Sequence, residues 1–334
     1  LSSSEALPIS ELFQSVTFEP NMTKAIVGLA LGGGAARGLA HIGVIEALAE
    51  AGLEPEIIAG TSIGAVAGAF HAAGQLQELH HFARGLTVRK LLRYLDVNLA
   101  GSSLVTGKRL EKTLASHIGD LQIEALPKKF VAIATELGTG QEVWLTKGSV
   151  VAALRASYAL PGIFKPVRIG GRWLIDGALV NPVPVTAARA LGANFVIAVT
   201  LHSGHYVRNT LFPIEAEAAL DPKPDRALED DRPKKGRFAL VKRQMIGRRG
   251  DGAPGIPRVV LEAFNITQNR IARSRLAGDP PDATIQVHLD GIGLFDFHKA
   301  ELAIEQGRAA VHRYLSSMRR ETIAASPVEI AARR

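Results

Sequence analysis

The chain is 334 residues long, carries a formal net charge of +7 and contains no cysteine. That length is ample for a buried core, and the absence of cysteine excludes a disulfide scaffold, thiolate metal sites and a cysteine nucleophile. Alanine, glycine and aliphatic residues are plentiful while aromatic residues make up 5%, a balance that suits the close-packed helices and strands of an α/β protein better than an aromatic-rich sandwich.

Residues 1–24 read as a polar leader. Leu1 to Gln14 has neither a basic start nor a long apolar run, so it does not read as a signal peptide. Ala25 to Leu31 (AIVGLAL) is a short apolar run that ends at Gly32-Gly33-Gly34, the pattern of a buried strand entering a glycine turn. Ala36 to Ala51 places Leu39, Ile42, Gly43 and Leu48 at helical spacing, and Gly52 stops it. Pro55 to Ala59 reads as a second strand, Gly60 to Gly64 as a turn, and Ala65 to Ala73 as a second helix. Strand, helix, strand and helix in that order predict a βαβ unit with parallel strands and a right-handed crossover. The stretch Ile57 to His71 lacks Asp, Glu, Lys and Arg, but it is short for a membrane span and carries Gly60, Thr61, Ser62 and Gly64. A strand, a sharp turn and a buried helix account for it better.

Farther along, Lys108 to His117 reads as a helix, Phe130 to Thr135 and Glu142 to Leu145 as strands, and Val150 to Tyr158 as a helix. An irregular stretch from Pro161 to Pro166 precedes a hairpin, Val167 to Ile169 and Arg172 to Ile175, around Gly170-Gly171. Asp176-Gly177-Ala178 follows at once. Val185 to Leu191 is helical and Phe195 to Leu201 a strand. Composition then shifts: prolines, the mixed charges Asp221 to Lys235 and a basic run make 203–258 read as a variable, partly mobile insertion. Pro257 to Ser274 returns to helix, Thr284 to His288 to strand, and His298 to Ser317 to a last helix. The expected organisation is a catalytic core over 25–202, its continuation over 259–320, and a tail over 321–334.

Two loops carry the chemistry. Gly60-Thr61-Ser62-Ile63-Gly64 fits G-x-S-x-G, which sets a serine on a tight strand-to-helix turn. The flanking glycines Gly60 and Gly64 allow the turn and keep space around the hydroxyl clear, and the helix dipole favours negative charge developing there. Alone, the motif also describes an ordinary turn with a capping serine. The second loop, Gly32 to Gly38, presents backbone N–H groups suited either to a nucleotide phosphate or to the oxyanion of an ester intermediate. A dinucleotide fingerprint requires a third glycine where Arg37 stands and an acid ending the second strand, where the serine turn stands instead. The oxyanion reading is therefore the better one. The base that the serine needs is not fixed by spacing. Asp176 could be that base or a turn aspartate, and Ser62, Asp176 and His298 stand in the chain order of an α/β-hydrolase triad.

The segments LALGGGAARGLAHIGVIEAL, IIAGTSIGAVAGA, RASYALPGIFKPV and WLIDGALVNPVPV resemble the patatin-like phospholipases, in particular the bacterial group similar to the catalytic domain of neuropathy target esterase. The resemblance runs in register from Ala25 to Leu201 and resumes more weakly around RIARSRLAGDPPDATIQ and GLFDFHKAE. It implies a three-layer α/β fold with a central, mostly parallel sheet flanked by helices, and hydrolysis of acyl esters in phospholipids or lysophospholipids by a Ser–Asp dyad without histidine. Carried onto this chain, it makes Ser62 the nucleophile and Asp176 the proton acceptor. Gly33, Gly34 and Ala35 become oxyanion donors supported by Arg37, and Gly60, Gly64 and Gly177 shape the motifs. Ala35 departs from the family, which often has a third glycine there, and Lys165 stands where proline is common.

No metal or organic cofactor is expected, and no nucleic-acid partner. The partner is a lipid or acyl-ester substrate, and the expected location is cytoplasmic, with peripheral contact at anionic membrane surfaces. That contact would use Lys234 to Arg249, KKGRFALVKRQMIGRR, where apolar residues alternate with cations as in an interfacial helix. A solvated insertion is the competing account of the same stretch. Two other classes compete for the whole chain: a phosphate-binding module built on Gly32 to Gly38, and a regulatory scaffold that keeps the dyad but acts through a protein partner. Oligomeric state is not legible.

Overall fold

A computed structural model describes residues 25–87, 90, 107–202 and 256–325. The leader, most of the insertion with its basic run 234–249, and the end of the tail lie outside the described residues. The strands are β1 (Val27–Leu31), β2 (Ile57–Thr61), β3 (Lys129–Glu136), β4 (Glu142–Leu145), β5 (Val167–Ile169), β6 (Arg172–Asp176), β7 (Phe195–His202) and β8 (Ala283–His288). The helices are α1 (Ala40–Glu50), α2 (Ile63–Ala72), α3 (Leu76–Arg84), α4 (Lys108–Ile118), α5 (Val150–Ser157), α6 (Val185–Ala190), α7 (Ile256–Gly278) and α8 (Ala300–Ala325).

The strands form one sheet in the order β5-β6-β3-β2-β1-β7-β8, with β4 paired to β3. The pairs β1–β2, β1–β7, β2–β3 and β7–β8 are parallel, while β3–β4, β3–β6 and β5–β6 are antiparallel. The parallel centre is buried on both faces, as its near-continuous apolar strands require. Leu29 and Leu31 face a core shared with Ile42, Ile45, Leu48, Phe70 and Val311, whereas Ala30 and Ala59 face a second one with Val183, Val185 and Ala188. These two cores make three layers, helix, sheet and helix, so the expected fold class is the observed one.

The layers close through small residues. A Cβ on Gly43 would lie 1.9 Å from the Ile304 carbonyl oxygen, and one on Gly307 would lie 2.0 Å from that of Ala40. Helices α1 and α8 thus touch backbone to backbone, which only glycine permits at those two positions.

Two differences from the sequence reading have physical causes. The first helix does not begin at Ala36. Ala35–Leu39 is a 3₁₀ turn: Ala35 enters it at φ 49°, which an α-helix does not allow, the Arg37 N–H donates to the Gly34 carbonyl three residues back at 3.2 Å, and the regular α1 starts only at Ala40. The helix Leu76–Arg84 is not apparent in the periodicity: it buries only Leu79 and Ala83, one turn apart, beneath an otherwise polar surface. No helix among the described residues is long and apolar enough to cross a membrane.

Candidate active site

Three strand ends meet at one crevice. Strand β1 delivers the glycine loop and β2 delivers Ser62. Strand β3 aligns the rest: Thr61 pairs with its Ile133 and Asp176 with its Ala134, which are consecutive residues. That register places the end of β6 beside the serine turn across 114 residues of sequence.

Ser62 sits at φ 56° and ψ −122°, outside the helix it precedes. A Cβ on Gly60 would lie 2.5 Å from Ala65 Cα, and one on Gly64 would lie 2.3 Å from the Leu31 carbonyl oxygen. At both motif glycines the backbone of a neighbouring segment stands where a Cβ would be. The Ser62 N–H donates to Ser157 Oγ at 2.9 Å, so α5 holds the strained turn through a fully buried hydroxyl. Thr61 Oγ1 donates to the Asn181 carbonyl at 2.8 Å and fixes the same turn from the other side.

The Ser62 hydroxyl donates to Asp176 Oδ2 at 2.8 Å. Asp176 is 2% exposed, and its other oxygen accepts the Ala178 N–H at 2.8 Å. Thr135 Oγ1 donates to the Asp176 carbonyl at 2.8 Å. A Cβ on Gly177 would lie 2.3 Å from the Ile133 carbonyl oxygen, so this glycine lets the aspartate turn pack on β3. Burial pushes the Asp176 carboxyl up to about 7, with the Ala178 N–H and the Ser62 hydroxyl pulling the other way. A carboxylate poised there is a far better proton acceptor at neutral pH than an ordinary aspartate. No histidine among the described residues hydrogen bonds to Ser62 or Asp176, and His298 lies in the short turn Phe297–Lys299.

The glycine loop separates its N–H groups by use. Gly32 donates to the Val199 carbonyl at 3.2 Å and Gly33 to the Pro182 carbonyl at 3.0 Å. The expected role of Gly33 as an oxyanion donor therefore gives way: its N–H is spent on anchoring the loop. The N–H groups of Gly34 and Ala35 donate to no other described residue, and both residues line the same pocket as Ser62. Arg37 ties the loop down, with Nε donating to the Ile292 carbonyl at 2.9 Å and its N–H to that of Gly34 at 3.2 Å. His41 is a contributor the sequence reading does not single out. It is fully buried, its Nε2 lies 2.7 Å from the Gly32 carbonyl, and burial pushes its pKa down to about 4. A carbonyl can only accept, so Nε2 carries the proton of a neutral ring.

Above Ser62 and Asp176 lies a pocket walled by Leu79, Phe82, Leu110, Leu114, Phe164, Leu261 and Phe297. Its wall is almost wholly apolar, and the polar groups gather at its floor. The arrangement matches a hydrocarbon chain with one reacting polar end.

A family model described as Patatin-like phospholipase matches residues 29–189. An NTE family protein of Mycobacterium tuberculosis is 34% identical over 331 residues, which cover 87% of this chain and 91% of that protein. The Lysophospholipase nte1 of Aspergillus fumigatus is 34% identical over 192 residues, 53% of this chain but only 12% of that much longer protein. Among solved structures, that of VipD from Legionella pneumophila covers 87% of this chain and 66% of its own length, with 14% identity and a TM-score of 0.47.

Proposed function

The chain belongs to the patatin-like phospholipase family, and from that premise we propose that it is a lipid acyl-ester hydrolase of the phospholipase A or lysophospholipase type, working through Ser62 and Asp176. The observation that carries this reading is the buried 2.8 Å hydrogen bond from Ser62 Oγ to Asp176 Oδ2 at the floor of an apolar pocket.

In the first step Asp176 accepts the Ser62 proton while Oγ attacks the ester carbonyl carbon. The carbonyl oxygen becomes an oxyanion held by the N–H groups of Gly34 and Ala35. Collapse expels the alcohol, which takes the proton from Asp176 and leaves an acyl-serine. Water then attacks that ester, gives its proton to Asp176, and the fatty acid departs as the proton returns to Ser62. The acyl chain occupies the apolar pocket throughout. Lys234 to Arg249 adds attraction to anionic membrane surfaces, which salt should weaken; deleting 234–249 should then lower binding to anionic vesicles.

The test is fatty-acid release from a long-chain lysophospholipid by the wild-type protein and by Ser62→Ala. Release should fall on the order of 10³-fold or more in the variant, since Ser62 is the one serine among the described residues lining the pocket. Equal release from both proteins would reject the reading. Failure of the wild type on any acyl ester would favour the regulatory scaffold.

A further inference from the structure

Asn181 and Pro182 form a junction that three loops of the site share. The Asn181 N–H donates to the Gly177 carbonyl at 2.9 Å, one residue past Asp176. The Asn181 carbonyl accepts from Thr61 Oγ1 at 2.8 Å, one residue before Ser62. The Pro182 carbonyl accepts the Gly33 N–H at 3.0 Å, one residue before Gly34. The serine turn, the aspartate turn and the glycine loop leave the ends of β2, β6 and β1, yet all three take a hydrogen bond from the same two residues.

The junction is itself held by one side chain. Asn181 is 1% exposed, and its Nδ2 donates to Glu142 Oε1 at 2.7 Å, while its Oδ1 is buried without a partner. Two further elements fix Glu142. Trp144 Nε1 donates to the same Oε1 at 2.6 Å, and Nη2 of Arg275, on α7, donates to Oε2 at 2.9 Å. Across β3, Glu142 stands opposite Thr135, whose Oγ1 donates to the Asp176 carbonyl. A surface ion pair contributes little by itself. This carboxylate is only 16% exposed, and removing it would leave a buried amide donor unpaired beside three loops. Neither Glu142 nor Asn181 lines the acyl pocket, and neither hydrogen bonds to the Ser62 hydroxyl or the Asp176 carboxylate.

We propose that Glu142, acting through Asn181, is a positioning residue for hydrolysis, setting the spacing of the serine turn, the aspartate turn and the oxyanion loop. The proposal rests on the hydrolase reading above. Attack needs Ser62 Oγ, its proton acceptor and the N–H groups of Gly34 and Ala35 to converge on one ester carbonyl. A displacement of ~1 Å in such a constellation can cost on the order of 10²-fold. A shift of Asn181 moves all three loops at once. The loss therefore falls on kcat, while the acyl pocket, whose wall neither residue joins, keeps its affinity.

The experiment compares wild type with Glu142→Ala, Asn181→Asp and the double variant Glu142→Gln/Asn181→Asp. A long-chain lysophosphatidylcholine is the substrate, and the rate of Ser62 labelling by a fluorophosphonate and the melting temperature are measured alongside. Glu142→Ala removes the acceptor, and Asn181→Asp sets two carboxylates against each other. Each should lower kcat and the labelling rate about tenfold and leave KM within about twofold. The double variant exchanges donor and acceptor across the same bond, so kcat should return to within about threefold of wild type. Wild-type kcat in either folded single variant would overturn the proposal. So would a rise in KM at constant kcat, or a double variant that regains the melting temperature without regaining kcat. Arg275→Met, at the half-exposed end of this chain of bonds, covers the case in which the single variants do not fold. It should lower kcat about threefold at constant KM, and an unchanged kcat there would overturn the proposal. A wild type that is active and labelled while the variants match it fails only this inference. A wild type that hydrolyses no acyl ester and leaves Ser62 unlabelled fails the hydrolase reading and takes this one with it.

Discussion

Ala35 and Ser62 line one pocket from the ends of neighbouring parallel strands, and they are the two described non-glycine residues with positive φ, 49° and 56°. For an L-residue that region costs ~1–3 kcal/mol and is kept where the surroundings over-determine it, often at functional sites. At Ser62 the strain presents Oγ to the pocket. At Ala35 the same kind of strain turns a loop N–H free of internal acceptors. Ala35→Gly should therefore retain hydrolysis and shift stability by no more than about 1 kcal/mol, because relief of strain offsets the added chain entropy. Ala35→Val, with a branched Cβ at positive φ, should lower both stability and turnover. Denaturant unfolding and turnover measured on the two variants check this.

Ser157 tests how far the serine turn depends on its support. Ser157→Ala leaves the buried Ser62 N–H without the 2.9 Å bond it now makes. An unpaired buried donor costs ~1–3 kcal/mol, and the cost falls on the turn that aims the nucleophile. The expected outcome is a loss of kcat of about tenfold with little change in KM, together with lower stability. Unaltered kcat in Ser157→Ala would show that the turn holds its geometry without that bond.

Asp176 links activity to stability through pH. Its carboxyl is raised from an ordinary value of 3.8 to about 7, so between those values the folded protein binds more protons than the unfolded chain. Stability from this group then falls as pH rises through that window and stays reduced above it. Activity runs the other way, since the base must be ionised: kcat/KM should rise through pH about 7. Asp176→Asn should abolish turnover nearly as fully as Ser62→Ala. It should also melt higher than wild type at pH 8, by an amount that fades toward pH 5. Melting curves across that range give the answer, and a variant less stable than wild type at pH 8 would contradict the account.

Histidines should not move the limb of that profile. His298→Gln should keep both turnover and the rise near pH 7. The buried His41 and the half-buried His71 belong to stability instead. Burial lowers each to about 4 from 6.5, so the folded state binds fewer protons between those values. Their contribution is complete above pH 6.5 and is lost as pH falls toward 4. His41→Gln should flatten part of that acid loss, which thermal denaturation between pH 4 and 7 would reveal.

The glycine loop and the serine turn are short runs whose residue types follow from backbone geometry, whereas the Asp176-Gly177-Ala178 triplet is weak on its own and takes its reading from the family resemblance. The bond between Ser62 and Asp176 was not legible from spacing, since it depends on the register of β3, which pairs with both strand ends. The use of the Gly33 N–H was hidden for the same reason: its acceptor, the Pro182 carbonyl, lies far away in sequence. Ser157 stood inside a quoted motif, yet only the packing of α5 against the turn reveals its role.

The most direct measurement of the central claim is the intact mass of the protein after treatment with a fluorophosphonate, with peptide mapping, for wild type, Ser62→Ala and Asp176→Asn. The account predicts one adduct on wild type, carried by Ser62, no adduct on Ser62→Ala, and labelling of Asp176→Asn slowed on the order of 10²-fold or more for want of its base. Labelling of a folded Ser62→Ala protein at the wild-type rate, or of Asp176→Asn as fast as wild type, would contradict it.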